Sequence, residues 1–297
     1  TRNARGYVQV VCGVPNVREG LLVACIPPGV AVPSSHGKEP FVLEAREIRG
    51  QISNGMLASP HELGISDDHD GILEIDQNDA KVGQPLKELF GLDDTIIDIE
   101  NKMFTHRPDC FGVLGVAREI AGIQGNRFVS PEWYLNDQFS TPANQDVKLE
   151  ISVDEPMLVP RFMAVALKNI TVGPSPIWLQ AGLTRVGLKP INNIVDITNY
   201  LMYVTGQPLH AYDADKLPTK NNLGARLSKR GEKVNLLNGK QLELKDDDTV
   251  VIVSGDTVVG IGGVMGGKDT EVGKATKNII IECASFDMYN VRKTSMK

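Results

Sequence analysis

Three polar side chains, Thr198, Asn199 and His210, fall on one candidate helix and the turn leaving it, in INNIVDITNYLMYVTGQPLHAYDADKL from Ile191 to Leu217. Far downstream stand the glycine tract GIGGVMGG, Gly260 to Gly267, and Glu282 within NIIIECASF. A histidine near its ordinary range can move a proton or orient a substrate at neutral pH. Glycines let backbone N–H groups approach a ligand oxygen. A carboxylate among aliphatic residues needs a partner, which is either Lys or Arg from the fold or a hydroxyl from a substrate. Together these residues suggest a small-molecule pocket.

Each feature also has a plainer reading. Helical positions three and four apart share a face, so Asn192, Asp196 and Asn199 line one edge while Ile194, Ile197 and Leu201 turn elsewhere. Asn and Thr on such an edge serve either ligand contact or local backbone bonding. His210 is either a reacting group or a satisfied hydrogen-bonder, and no serine or cysteine nucleophile motif accompanies it. The glycine tract is neither a G-x-G-x-x-G opening a helix nor a phosphate-binding loop ending in Lys-Ser/Thr, so a tight sheet turn is its alternative. Asp269 and Glu271 read as solvated loop acids. His106 in THRPD has no Cys or second His nearby and reads as a turn or packing residue, so no metal site is expected. Cys12, Cys25, Cys110 and Cys283 lack C-x-x-C spacing and read as core thiols.

The 297 residues leave room for about two domains. Up to about Asp94, short β-rich runs (YVQVVCG, LLVACIPPG, FVLEAREIRG, GILEID) alternate with turns at the spacing of a small barrel, and a short helix PLKELFG follows. Residues 95–129 read as a strand, Thr95 to Glu100, and a helix with Val113, Val116, Ala117, Ile120, Ala121 and Ile123 on one apolar face, ended by Gly125. A Pro-, Asn- and Ser-bearing linker is expected over 130–146. From 147 to 297, strands at KLEISV, FMAVALKNITV, ARLSK, KVNLL, TVVIVSG, VVGIGG and NIIIECASF surround two helices, SPIWLQAGLTRVG and NNIVDITNYLMYVTG. The expected class is α+β, a small β-barrel, which the resemblance below makes OB-type, followed by a mixed α/β domain on a mostly antiparallel sheet.

The formal charge is −6, with acids around Asp67 to Asp79 and Asp246 to Asp248, which gives this chain no strong electrostatic case for gripping a phosphate backbone. No apolar run approaches the roughly 20 residues of a membrane span, and no basic-then-apolar leader is present. A soluble, reducing, cytoplasmic setting is the expectation. Thr1-Arg2 runs straight into a strand-like segment and reads as a cut end.

These residues resemble, over essentially the whole chain and in the family's order, the beta subunit of bacterial-type phenylalanyl-tRNA synthetase. NVREG and EIRGQISNGMLASPHELGI look like its OB-type domain, and NKMFTHRPDCFGVLGVAREIAGIQG like the segment that follows. PSPIWLQAGLTRVGLKPINNIVDITNYLMYVTGQPLHAYDADKL, VMGGKDTEV and NIIIECASFD look like its B3/B4 editing domain. The resemblance implies phenylalanine-tRNA ligase (EC 6.1.1.20), an alpha2-beta2 enzyme whose alpha subunit holds the site for phenylalanine, ATP and the end of tRNA(Phe). It implies that the beta editing domain hydrolyses tyrosine mischarged on tRNA(Phe). Carried over by motif, Glu282 would recognise the tyrosine phenol, Gly262 and Gly263 would wall the amino-acid slot, and Thr198, Asn199 and His210 would surround the ester and terminal adenosine. Tyr212 stands where the family commonly has Phe, a mild change of packing. The family's magnesium-binding acids, catalytic-like domain and anticodon-binding domain would lie beyond Lys297, so no cofactor is expected in this fragment. A non-catalytic tRNA-binding or scaffolding module with a degenerate pocket is the alternative.

Overall fold

The structure, a computed structural model, describes residues 1–4, 6–76, 80–135 and 148–296. Most of the linker expected over 130–146 therefore lies outside the described residues. The chain divides into two compact units, Thr1–Ile99 with Ser175–Ile191, and Glu100–Pro174 with Asn192–Lys297.

In the first unit the β-rich runs form only short strands: β1 (Arg2–Asn3), β2 (Gly6–Tyr7), β3 (Leu22–Val23), β4 (Cys25–Ile26), β5 (Arg46–Ile48), β6 (Gln51–Ser53), β7 (Met56–Leu57) and β8 (Glu74–Ile75). They pair as four separate antiparallel ribbons, β1 with β2, β3 with β8, β4 with β7 and β5 with β6. Among the described residues no sheet closes into a barrel, which corrects both the barrel expected from strand spacing and the OB-type barrel implied by the resemblance. The runs are cut every few residues by Gly13, Pro15, Gly20, Pro27 and Pro28. Proline carries no N–H to donate to a ladder, so pairing cannot propagate past it.

The unit is held instead by a core of Ala24, Ile26, Val32, Leu43, Ala58, Ile65 and Leu73. Helix α1 (Leu86–Phe90) stops at Gly91, whose φ of 60° suits glycine. The segment Ser175–Ile191 carries helix α4 (Ile177–Arg185) and packs in this unit. Ile177 joins the core, Thr184 Oγ1 donates to the Ile65 carbonyl at 2.6 Å, and Arg185 pairs with Asp94 at 2.8 Å.

The second unit opens with two 3-10 turns, Lys102–His106 and Pro108–Phe111, then helices α2 (Val113–Ile123) and α3 (Glu132–Leu135). Thr95 to Glu100 does not form a strand. Helix α2 forms as its periodicity requires, yet its apolar stripe stays open, with Val113, Ile120 and Ile123 exposed. Its glycines make the contact: a Cβ on Gly115 would lie 1.9 Å from the Asp109 carbonyl oxygen, and one on Gly112 2.3 Å from the Gly206 nitrogen.

The remaining strands are β9 (Glu150–Val153), β10 (Arg161–Leu167), β11 (His210–Asp213), β12 (Asn222–Leu227), β13 (Lys233–Asn235), β14 (Gln241–Glu243), β15 (Val250–Ser254), β16 (Thr257–Ile261), β17 (Met265–Gly266) and β18 (Ile279–Ser285). They build two main sheets, β10-β18-β11, antiparallel throughout, and β17-β16-β15-β12-β9, antiparallel except where β9 joins β12 in parallel. The architecture is α+β on mostly antiparallel sheets.

The two sheets face each other across one core. Tyr212 and Ile280 come from one sheet; Leu223, Ala225, Val250, Ile252 and Val259 come from the other. The five-stranded sheet buries its far face beneath the β13-β14 hairpin, where Val251, Val253, Val258 and Ile261 meet Val234 and Leu244. The three-stranded sheet is backed by helix α5 (Asn193–Thr205), whose Ile194 packs with Ala211 and Ile279. Covering both faces explains why VVIVS in β15 is apolar without alternation and wholly buried. Helix α6 (Met288–Ser295) follows, capped by Asp287.

Candidate functional site

β18 is the central strand of its sheet, and its register places Glu282 opposite His210 of β11 on one side and Ala164 of β10 on the other. Side chains two apart on a strand share a face, so Tyr212 stands on the same side as His210. Its ring meets the imidazole edge-on, 4.5 Å between centroids at 83°. From there the Tyr212 hydroxyl donates to Glu282 Oε2 at 3.1 Å. The facing sheet approaches with Gly266, where a Cβ would fall 2.4 Å from the His210 ring. Only a residue without a side chain fits there.

The turn between β16 and β17 completes the wall. Gly263 adopts φ +68°, a conformation that costs other residues strain. A Cβ on Gly262 would press Val250 and the Phe286 ring, at 2.8 and 2.9 Å. The half-open cavity measures about 190 Å³ and is lined by Pro208, Leu209, His210, Tyr212, Ile252, Ile261, Gly263 to Gly266, Glu282, Ala284 and Phe286. That is smaller than the ~300–1,000 Å³ of sites for drug-sized ligands and suits one amino-acid side chain.

Of the six sequence-derived candidates, His210, Glu282 and Gly263 line this cavity; Thr198, Asn199 and Gly262 do not. Thr198 Oγ1 donates back to the Val195 carbonyl at 2.7 Å within α5. Asn192 caps that helix, accepting from the N–H groups of Ile194 and Val195 at 3.1 and 3.0 Å. Asn199 is half-buried. Two further residues matter most: Tyr212, expected only to change packing, and Gly266, expected only as one glycine of the tract. Their signal was available: once HAYD is a strand, the period of two sets Tyr212 beside His210.

The electrostatics follow from depth. Glu282 is only 7% exposed, and burial pushes its carboxyl up to about 7, against the opposing pull of the Tyr212 hydrogen bond. Burial drives His210 down to about 4, so its imidazole is neutral at physiological pH. Its Nε2 is wholly buried and has no hydrogen-bond partner. Burial, followed by the Glu282 charge, raises Tyr212 well above the usual phenol range. The cavity thus presents a neutral imidazole, a phenol fixed as a donor, and a carboxyl balanced between its two states.

Residues 158–297 match the family model described as the B3/4 domain. The phenylalanine–tRNA ligase beta subunit of Desulfotalea psychrophila is 40% identical over 288 residues, which is 97% of this chain and 34% of that protein. That of Streptococcus thermophilus is 38% identical over 303 residues, 100% of this chain and 36% of its own length. The chain closely matches the bacterial-type phenylalanyl-tRNA synthetase beta subunit. It spans about a third of the length of the curated relatives it matches. An N-terminal fragment of the phenylalanyl-tRNA synthetase beta subunit from Pyrococcus horikoshii overlaps with a TM-score of 0.37 at 14% identity, over 72% of this chain and 69% of that one. At that distance it adds nothing to the synthetase match.

Among the described residues no group of three or more His, Cys, Asp or Glu side chains is placed to hold a metal ion. The four cysteines are free. No described helix is long and apolar enough to cross a membrane.

Proposed function

We propose that the second unit is the proofreading module of this synthetase subunit, hydrolysing the ester of tyrosine mischarged on tRNA(Phe). The observation that carries this reading is Glu282, a buried carboxyl facing a side-chain-sized cavity with no cation beside it. Its one partner among the described residues is the neutral Tyr212 hydroxyl. A scaffold with a degenerate pocket would seat such an acid in a salt bridge of its own fold.

Selectivity follows from hydrogen-bond arithmetic. A pocket shaped for phenylalanine rejects an added hydroxyl weakly, whereas a site that bonds the hydroxyl rejects its absence by ~10⁴-fold or more. Glu282 accepts the tyrosine phenol, and Gly263 and Gly266 keep the slot open for the ring. Water attacks the ester without a covalent intermediate, placed by the tRNA 3′ terminus. His210 orients the substrate as part of the cavity wall. With its imidazole titrating near 4 it is a poor proton acceptor at neutral pH. Asn199 and Thr198 assist from α5, and Gly262 supports the slot by packing on Phe286.

The complete enzyme, in this reading, is a cytoplasmic alpha2-beta2 heterotetramer that attaches phenylalanine to tRNA(Phe) with ATP and magnesium. The described residues offer no metal-ligand set, and no step here runs through a metal. The test is tyrosine release from tyrosyl-tRNA(Phe), with phenylalanyl-tRNA(Phe) as control. Selective release that is lost in Glu282→Ala supports the reading; equal release of both amino acids sinks it.

A further inference from the structure

Glu282 reaches the cavity from a strand flanked on both sides, and nothing on its own strand fixes the rotation of its carboxyl group. Tyr212 does. Its ring is 1% exposed and wedged edge-on against His210, so the hydroxyl has one place to point, Glu282 Oε2 at 3.1 Å. Among the described residues no hydrogen bond reaches the other oxygen, Oε1, and it is not among the fully buried orphan atoms.

We propose that Tyr212 is the positioning residue of this site: its hydroxyl holds Oε2 and thereby presents Oε1 to the phenol of the incoming tyrosyl ester. The proposal rests on the editing reading above. A mere packing role would be served equally by phenylalanine, whose ring fills the same space. The hydroxyl is the part that acts on Glu282, and it acts through one bond that a single oxygen atom makes or removes.

Two consequences follow. Without the bond the carboxyl can rotate, and substrate binding weakens by what one hydrogen bond to a charged group contributes, about tenfold or more. The bond also favours the ionised form of Glu282 and opposes the effect of burial. Removing it moves the carboxyl further up from about 7. The other ionisable groups facing Glu282 are His210 and Tyr212 itself, both from β11; β10 contributes Ala164, the facing sheet Ile252, Ile261 and Gly266, and Cys283 alternates to the other face of β18.

The experiment uses the complete alpha–beta synthetase carrying this beta chain, with tyrosine release from tyrosyl-tRNA(Phe) followed against pH. For Tyr212→Phe the expected result is a KM raised about tenfold, a kcat within about twofold, and an ionisation limb of kcat/KM displaced to higher pH. In a Glu282→Ala background, which leaves no acceptor at that position, the same Tyr212→Phe change should do nothing further, because its effect travels through Glu282 alone. Fluorotyrosine placed at position 212 keeps the shape and donates more strongly, so it should move the limb to lower pH even if the Phe variant folds poorly.

The proposal is overturned if Tyr212→Phe leaves KM and the limb in place. It is equally overturned if the variant releases tyrosine faster, which would make the Tyr212 hydroxyl a competitor of the substrate for Glu282. Failure of the editing reading looks different: Glu282→Ala would then leave the preference for tyrosyl over phenylalanyl ester intact, whatever happens at Tyr212.

Discussion

Each unit contains a hollow. That of the first unit measures about 260 Å³ and is lined by residues that include Cys12, Glu44, Arg46, Ser53, Glu62 and His69; that of the second measures about 190 Å³ around His210 and Glu282. In the larger one Ser53 and Glu62 are already engaged. Ser53 Oγ accepts from the Val11 N–H and donates to the Gly55 carbonyl, and Glu62 Oε2 accepts from both the backbone N–H and the hydroxyl of Ser59.

The same residue types end up in opposite states. Burial pushes both Glu62 and Glu282 up, but in Glu62 the Ser59 bonds outweigh it and hold the carboxyl below its ordinary range. Glu282 has a single bond and rises to about 7. His69, on the surface with its ring nitrogen against the Asp67 carbonyl, is raised, whereas His210 falls to about 4. Volume does not shift the ionisation of these groups. Depth between two sheets does, combined with too few partners for the groups inside.

The contrast can be tested in matched pairs. The largest difference is expected between two ion pairs. Arg226 bonds both oxygens of Glu232 at 3.0 and 2.6 Å and also donates to the Asp256 carbonyl, with 10% and 19% of the two side chains exposed. Arg226→Ala should cost about 3 kcal/mol by stranding a half-buried carboxylate, measured by urea unfolding. Arg18→Ala, which breaks an exposed pair with Glu74, should leave the unfolding midpoint unchanged. Equal losses would show the first unit to be as tightly built as the second.

Next come the two glutamates. The folded pKa of Glu282 is raised from 4.5 to about 7, so its burial costs nothing below pH 4.5, and stability is lost as pH rises through 7. Glu282→Gln should therefore melt like the parent at pH 4 and be more stable by up to about 3 kcal/mol above pH 8. Glu62→Gln should run the opposite way. The lowered pKa of Glu62 contributes stability that is present at neutral pH and lost as pH falls, so that variant should be the less stable one at pH 7. Parallel pH profiles for the two would contradict the assigned environments.

The smallest stability effect is expected from the glycines, though one carries a large functional effect. Gly266→Ala places a methyl against the His210 ring and should cost about 1–2 kcal/mol while cutting tyrosine release by more than ~100-fold through closure of the slot. At Gly182, within α4, a Cβ would meet nothing within 4 Å. Gly182→Ala should be almost silent in melting temperature or raise it slightly.

Much of the second unit was legible beforehand. Asn192 and Gly206 bracket α5 as cap and left-handed terminator, and the valine-rich runs of β15 and β16 form strands where they should. The first unit misled because alternation marks strand-like conformation without naming a partner. Only the hydrogen-bond pattern separates four ribbons from a closed barrel. In α2 the apolar stripe suggested a buried face, yet Gly112 and Gly115 make the close contact, because backbone approach favours the smallest residues over the most apolar ones.

At the site, the residue types by themselves determined which groups could react: one histidine, one carboxylate among aliphatic neighbours, and a tract of glycines. The pairing of β11 and β18 decided which of them meet. His210 and Glu282 lie 72 positions apart and face each other across one register step, while Thr198 and Asn199, much nearer in sequence to His210, lie outside the cavity. The protonation states were decided by tertiary structure as well. A carboxyl or an imidazole leaves its ordinary range only when water is replaced by the opposing sheet, and that desolvation is a property of packing, which no local pattern encodes.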